Sequence, residues 1–183
     1  MLALDRGGAD TNGARVVRFT IESRFVHQGL AVTAVVPAGA TVRRPLLVFL
    51  HGKGEDQDSN LAALNLARLH PRRFCAVGGH SAALYKSFGA SAPVAFDNAA
   101  DFARNDVFKA ARQTRFNRLP VWIDVGVDDP FHDADAAFVS LLRARGVSVT
   151  YDVWPGGHTA SYWKAHMAAY LSFYASALAQ CSS

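Results

Sequence analysis

The sequence has little of what marks several large protein classes. It has two cysteines, Cys75 and Cys181, too few for a disulfide framework or a metal knuckle. Cys75, inside an apolar run, reads as a buried thiol. No apolar run reaches the length of a membrane span, and the start, MLALDRGGAD, lacks both a basic end and a long apolar stretch. The expectation is a cytoplasmic protein or, alternatively, a secreted one whose signal is already removed. The net charge of +4 is spread over isolated arginines, without the clustered stripe of a nucleic-acid footprint. The seven histidines are dispersed and no H-E-x-x-H occurs, so a metal hydrolase lacks convergent ligands. Asp128, Asp129, His132, Asp133 and Asp135 read more simply as a polar loop and a helix cap. Neither nucleic acid nor membrane is an expected partner, and no cofactor or metal is implied.

What is present suits one globular domain with a substantial core: 183 residues, half of them apolar and 19% charged. In Val17-Arg18-Phe19-Thr20-Ile21-Glu22 and again in Leu30–Val36, large apolar residues recur with period two, as in half-buried strands. His27-Gln28-Gly29 can turn between them, so residues 14–37 read as an antiparallel pair at a sheet edge. PLLVFLHG (45–52), FCAVGG (74–79), PVWIDVG (120–126) and VSVTYDVW (147–154) are apolar without clean alternation, the mark of strands covered on both faces. Helices are expected at 61–69, ended by His70-Pro71, and after Asp133 as cap, ended by Gly146. A closing helix puts Trp163, Met167, Tyr170 or Leu171, Tyr174 and Leu178 on one side. The predicted fold is α/β, a mostly parallel sheet of about six strands with flanking helices, in a single domain spanning 1–183 whose core is 45–183.

Ligands of such sheets bind at the carboxyl ends of the strands. The loops there read His51-Gly52-Lys53-Gly54, Gly79-His80-Ser81, Gly126-Val127-Asp128-Asp129-Pro130 and Pro155-Gly156-Gly157-His158. Gly52 permits a backbone N–H to approach a carbonyl oxygen closely, the oxyanion role. A carboxylate after one strand and a histidine after the next are the acid and base of a Ser-Asp-His triad in α/β-hydrolase chain order. Ser81, in Gly79-His80-Ser81-Ala82-Ala83, approximates the G-x-S-x-G nucleophile elbow but is one glycine short.

PLLVFLHGKGED, LNLARLHPRRFCAVGGHSAAL, PVWIDVGVDDPF and WPGGHTASYW resemble the esterase D and S-formylglutathione hydrolase-like branch of the α/β hydrolases, from about residue 45 to the end. The resemblance implies Gly52 and Lys53 near the oxyanion hole, Asp129 as triad acid and His158 as base, with Asp128 the neighbour to compare. It also implies a shortened fold. In that family a helix ending in a His-Pro-like turn follows the elbow, so FCAVGGHSAAL is the next strand and Ser81 lies one strand too late. The residues agree: an elbow is followed by a helix, whereas the segment after Ser81 runs into Gly89 and Pro93. Ser59, about two residues from the nucleophile's register, is also an ordinary helix-cap type. The resemblance implies that roughly two strand–helix units, each on the order of 30 residues, are absent.

The implied function is therefore a cofactor-free serine-type carboxylic-ester hydrolase acting on a small ester or thioester, with low or no activity in this form because the elbow is absent. The alternative is a non-catalytic binding or partner module that retains the hydrolase cleft. Nothing in the sequence reports the oligomeric state.

Overall fold

The computed structural model describes residues 15–23, 26–36, 59–91, 95–113, 116 and 119–181. The first two strands belong to one compact unit of the chain and all later elements to another. In the first, β1 (Arg15–Ser23) pairs antiparallel with β2 (Val26–Val36), from Arg15 opposite Val36 to Ser23 opposite Val26, with an irregularity between Ile21 and Ser23. The antiparallel pair is as expected. The turn is not at His27-Gln28-Gly29, however, because those residues lie within β2.

In the second unit α1 (Ser59–Leu69) leads into β3 (Val77–His80). Two short helices follow, α2 (Ala99–Asn105) and α3 (Val107–Arg112), then β4 (Val121–Gly126), α4 (His132–Ala144), β5 (Val149–Trp154) and α5 (Ala160–Gln180). The sheet order is β3-β4-β5, all parallel, with Gly78 opposite Trp122 and Asp124 opposite Asp152. Three of the four expected apolar strands are thus neighbours in one sheet. The fourth, 45–52, lies outside the described residues; of the six expected strands five are described, two in the antiparallel pair and three in the parallel sheet. The second strand begins at Val77 rather than Phe74 and continues through His80.

β4 is buried at all six positions, and its two faces meet different surroundings. Val121 and Ile123 join a core with Leu64 of α1, Phe108 of α3, and Phe138 and Leu142 of α4. Burying each such side chain contributes about 1.5–3 kcal/mol. Trp122 and Asp124 point the other way, onto α5, where the Trp122 ring lies 5.5 Å from Tyr170 and 5.1 Å from Phe173. Period-two alternation in the strand separates an apolar layer from one that carries polar groups.

The caps follow side-chain chemistry. Asn98 accepts from the amides of Ala100 and Asp101, both at 3.0 Å, and Asp106 from that of Lys109 at 2.9 Å. Asp133 does not cap α4. It sits in the first turn, where its charge suits the helix dipole, and the N-cap position belongs to Phe131. Gly146, at φ +74°, stands one residue beyond the C-cap Arg145, as expected of a left-handed terminator. On α5 the packed face is Tyr162, Trp163, His166, Tyr170, Phe173 and Tyr174, whereas Met167 and Leu171 are exposed. Trp163, Tyr170, Tyr174 and Leu178 lie on the packed side as expected, Met167 does not, and of the alternatives Tyr170 and Leu171 it is Tyr170 that packs, because this helix docks on Trp122 and Asp124 through aromatic side chains.

Cys75 is not a buried thiol: it is disulfide-bonded to Cys181, 106 residues away, with the Cα atoms 5.5 Å apart. The bond ties the end of α5 to the approach to β3. No helix of the described residues is long and apolar enough to cross a membrane.

Candidate active site

Because β3, β4 and β5 are parallel neighbours, the loops leaving their carboxyl ends emerge side by side. Ser81 follows β3, Asp129 follows β4 and His158 follows β5, and the three side chains meet. The Ser81 hydroxyl donates to Asp129 Oδ2. The same oxygen lies 3.2 Å from His158 Nδ1, which is itself 3.2 Å from Ser81 Oγ. Asp129 Oδ1 accepts from the Phe131 amide at 2.8 Å, an Asx turn that fixes the carboxylate on its loop.

Two neighbouring aspartates could have served as the acid, and the fold separates them. Asp129 is 5% exposed and points inward; Asp128 is exposed and meets the next loop through its backbone, its amide donating to Gly156 O at 2.9 Å. Two glycines make this close approach possible. A Cβ at Gly126 would lie 2.1 Å from Gly156 O, and Gly156 itself holds φ +123°, a conformation side chains rarely adopt. The result sets the 127–131 loop against the 155–157 loop and delivers His158 to Asp129. The His158 ring is held edge-on between Phe131 and Trp163, at 5.3 and 5.0 Å between centroids.

Burial by itself would raise the Asp129 carboxyl. The hydrogen bonds from His158, Ser81 and the Phe131 amide outweigh it and hold the group below its ordinary value. Asp129 therefore stays ionised, the state an orienting acid needs beside an imidazole.

Ser81 has φ +57°, the one non-glycine residue among those described with positive φ. A left-handed serine directly after a strand is the backbone feature of a nucleophile elbow. Two observations set it apart from one. Ala82 to Tyr85 form a buried irregular loop instead of the helix that follows an elbow. Ser81 is also 0% exposed, and its hydroxyl faces Nδ1, the acid's side of the ring. Ser59 is the first residue of α1. Gly52 and Lys53 lie outside the described residues.

A second polar cluster was not anticipated. Asp124, in the middle of β4 and fully buried, accepts from His80 Nδ1, from Tyr162 OH at 2.7 Å and from Tyr170 OH at 3.0 Å. His80 Nε2 lies 2.9 Å from Tyr174 OH, its ring stacks on Tyr170 with centroids 3.8 Å apart, and its carbonyl accepts from Trp163 Nε1 at 2.9 Å. Burial and the Asp124 charge push the hydroxyls of Tyr162, Tyr170 and Tyr174 above the ordinary phenol value, so all three remain protonated. The cluster binds α5, from Tyr162 to Tyr174, to the end of β3 and to β4, the strands that lead to Ser81 and Asp129. The sequence signal was an aspartate and a histidine inside otherwise apolar strands, a pattern that demands buried partners.

Among the described residues no three His, Cys, Asp or Glu side chains converge as metal ligands.

The arrangement has known relatives. Residues 59–174 match the model of the Esterase family, described as "Putative esterase". A ferulic acid esterase is similar in structure, with a TM-score of 0.57, 24% identity, and coverage of 65% of this chain and 48% of that one. So is an S-formylglutathione hydrolase from Staphylococcus aureus, with a TM-score of 0.50, 15% identity and coverage of 63% and 47%. A thermostable esterase from Pseudomonas putida gives 0.55 at 14% identity, covering 96% of this chain and 83% of that one. The chain spans about half the length of the first two. A comparison with the curated proteins finds no match. At these identities the solved structures speak for an α/β-hydrolase-like fold. The family match covers more than half of the sequence, with the His158 and Asp129 loops inside it, and the chain therefore belongs to the Esterase family of α/β hydrolases.

Proposed function

We propose that this chain carries the acid–base part of a carboxylic-ester hydrolase site and hydrolyses small esters or thioesters slowly, without an acyl-enzyme on Ser81. His158 is the base, Asp129 the acid that orients it, and Ser81 a donor that holds Asp129. The observation behind this reading is the shared oxygen: Ser81 Oγ and His158 Nδ1 both address Asp129 Oδ2. In a Ser-His-Asp triad the acid binds Nδ1 and the nucleophile is deprotonated by Nε2. Ser81 is on the acid's side, and no described residue hydrogen-bonds Nε2 of His158.

The chemistry then runs through water. His158 Nε2 takes a proton from a water whose oxygen attacks the ester carbonyl. The imidazolium is stabilised by ionised Asp129, the acyl C–O bond breaks, and the alcohol leaves with the proton returned by the imidazolium. Gly52 and Lys53 are the proposed oxyanion donors. A positioned base contributes roughly 10²–10⁴-fold, and the covalent intermediate that divides the reaction into two easier steps is missing. The Cys75–Cys181 bond supports an oxidising compartment, the secreted alternative, since such bonds rarely persist in the cytosol.

The test is hydrolysis of p-nitrophenyl acetate together with fluorophosphonate labelling. The wild type is expected to label substoichiometrically, and His158→Ala to lose ~10²-fold in rate above background. Stoichiometric labelling on Ser81 would overturn the assignment of that residue. Labelling on Ser59 would mean that the residues before α1 rebuild an elbow, and an unchanged rate in His158→Ala would leave the non-catalytic alternative.

A further inference from the structure

Ser81 reaches Asp129 only because the chain turns left-handed there, and that turn is held from the far side. Its amide donates to Asp124 O at 2.7 Å, continuing the ladder with β4. The next amide, Ala82, has a side chain as its acceptor: Asp135 Oδ2, 3.2 Å away on α4. We propose that Asp135 is a positioning residue of the esterase site, which by holding the Ala82 amide fixes the turn that aims the Ser81 hydroxyl at Asp129. The inference rests on the assignment of Asp129 and His158 as acid and base.

Asp135 is fully buried, yet only half of its carboxyl is used. Oδ1 has no hydrogen-bond partner among the described residues, and neither does the buried hydroxyl of Tyr151. A charged carboxylate with an oxygen unpaired by the protein is costly to bury. The charged and titratable groups facing it are Asp129, from the loop after β4, Asp124, from β4, and Tyr151, from β5. Burial, then the charges of Asp129 and Asp124, push the Asp135 carboxyl well above the ordinary range, while the Ala82 amide opposes them. The two carboxyls are pushed in opposite directions, Asp135 up and Asp129 down, which keeps the charge on Asp129, beside the imidazole. A neutral carboxyl still accepts from Ala82, which is the whole of the role assigned to it.

Remove that acceptor and the Ala82 amide is buried unpaired. Ser81 can then relax to the negative φ that a serine prefers, which turns its hydroxyl off Asp129. The carboxylate loses one of its three donors, and the ring opposite loses its fixed partner.

The experiment is ¹H–¹⁵N NMR of the His158 imidazole in the resting protein, with p-nitrophenyl acetate hydrolysis as second readout. Asp135→Asn keeps an uncharged acceptor and is expected to preserve the hydrogen-bonded Nδ1–H resonance and to stay within about threefold of the wild-type rate. Asp135→Ala is expected to lose that resonance to a mixture of tautomers and up to ~10²-fold in rate, the scale of a misplaced catalytic group. Tyr151→Phe, which removes the other unpaired polar atom nearby, should change neither. A folded Asp135→Ala with the wild-type resonance would overturn the proposal, as would Asp135→Asn losing it. If Asp135→Ala does not fold, Asp135→Leu, which fills the same space without offering an acceptor to the Ala82 amide, is read in its place and is expected to lose the resonance, its retention overturning the proposal. The resonance is read without turnover, so a failure of the esterase assignment appears only in the rate of His158→Ala.

Discussion

The Ser81 hydroxyl lies 3.2 Å from Nδ1 of His158, on the side of the imidazole that faces its acid. A nucleophile belongs at the other nitrogen. The serine that most resembles an elbow in sequence, and that has an elbow's backbone, hydrogen-bonds the Asp129 carboxylate instead. Its left-handed conformation stores strain that the surrounding contacts maintain.

That strain can be measured. At φ +57° alanine retains a cost of about 1–2 kcal/mol that glycine does not have. Both Ser81→Ala and Ser81→Gly forfeit the bond to the Asp129 carboxylate, about 1.5–3 kcal/mol for a charged acceptor. Urea denaturation is expected to show both variants destabilised, with alanine the worse by about 1 kcal/mol. The reverse order would mean that Ser81 is not left-handed in solution.

The acids respond to pH in opposite senses. Asp129 titrates below 3.8 in the folded chain, so its contribution is present above that value and lost as the pH falls through the lowered folded value. Asp135 titrates well above 3.8. Between the two values the unfolded chain has released a proton that the folded chain keeps, so this group's contribution to stability falls as the pH rises. Thermal melts of the wild type and Asp135→Asn from pH 3 to 9 should show the variant gaining relative to the wild type as the pH climbs above about 4. Parallel curves would contradict a buried, protonated Asp135.

The disulfide closes a loop of 106 residues and anchors the end of α5. Reduction, Cys75→Ser and Cys181→Ser are expected to lower stability alike, by about 2–5 kcal/mol. Peptide mapping without reductant checks the bond itself. A melt indifferent to dithiothreitol on a sample shown to be oxidised would mean that α5 is held by its aromatic face alone.

The parts of this architecture visible in sequence were those encoded by local pattern. Apolar runs ending at Gly126 and Trp154 marked strands, Gly146 marked a helix end, and the loops behind them supplied Asp129 and His158. What local pattern could not show was pairing at a distance. Asp124 interrupts the apolar PVWIDVG, and its partners are His80, 44 residues earlier, and Tyr170, 46 residues later. Cys75 looked like a thiol because its partner lies near the end of the chain. Asp128 and Asp129 are alternatives in sequence, separated only by an Asx turn that buries one of them. On α5 the predicted stripe held at Trp163, Tyr170, Tyr174 and Leu178 and failed at Met167, because the surface it meets carries an indole and a carboxylate that favour aromatic partners. Residues 45–53, with the first expected strand, Gly52 and Lys53, lie outside the described residues.

The shared oxygen of Asp129 also sets what an amide would do in its place. The carboxylate receives three donors, the Phe131 amide on Oδ1 and both Ser81 and His158 on Oδ2. Asparagine in the same pose keeps its carbonyl for Phe131 and turns its two N–H groups toward the other pair. The Ser81 hydroxyl can rotate to accept one, since a hydroxyl serves either way. The imidazole can accept the other only by moving its proton from Nδ1 to Nε2, the nitrogen that must be bare to act as a base. Donor and acceptor parity would thus be restored throughout the cluster, and the fold would absorb the substitution at the expense of the base.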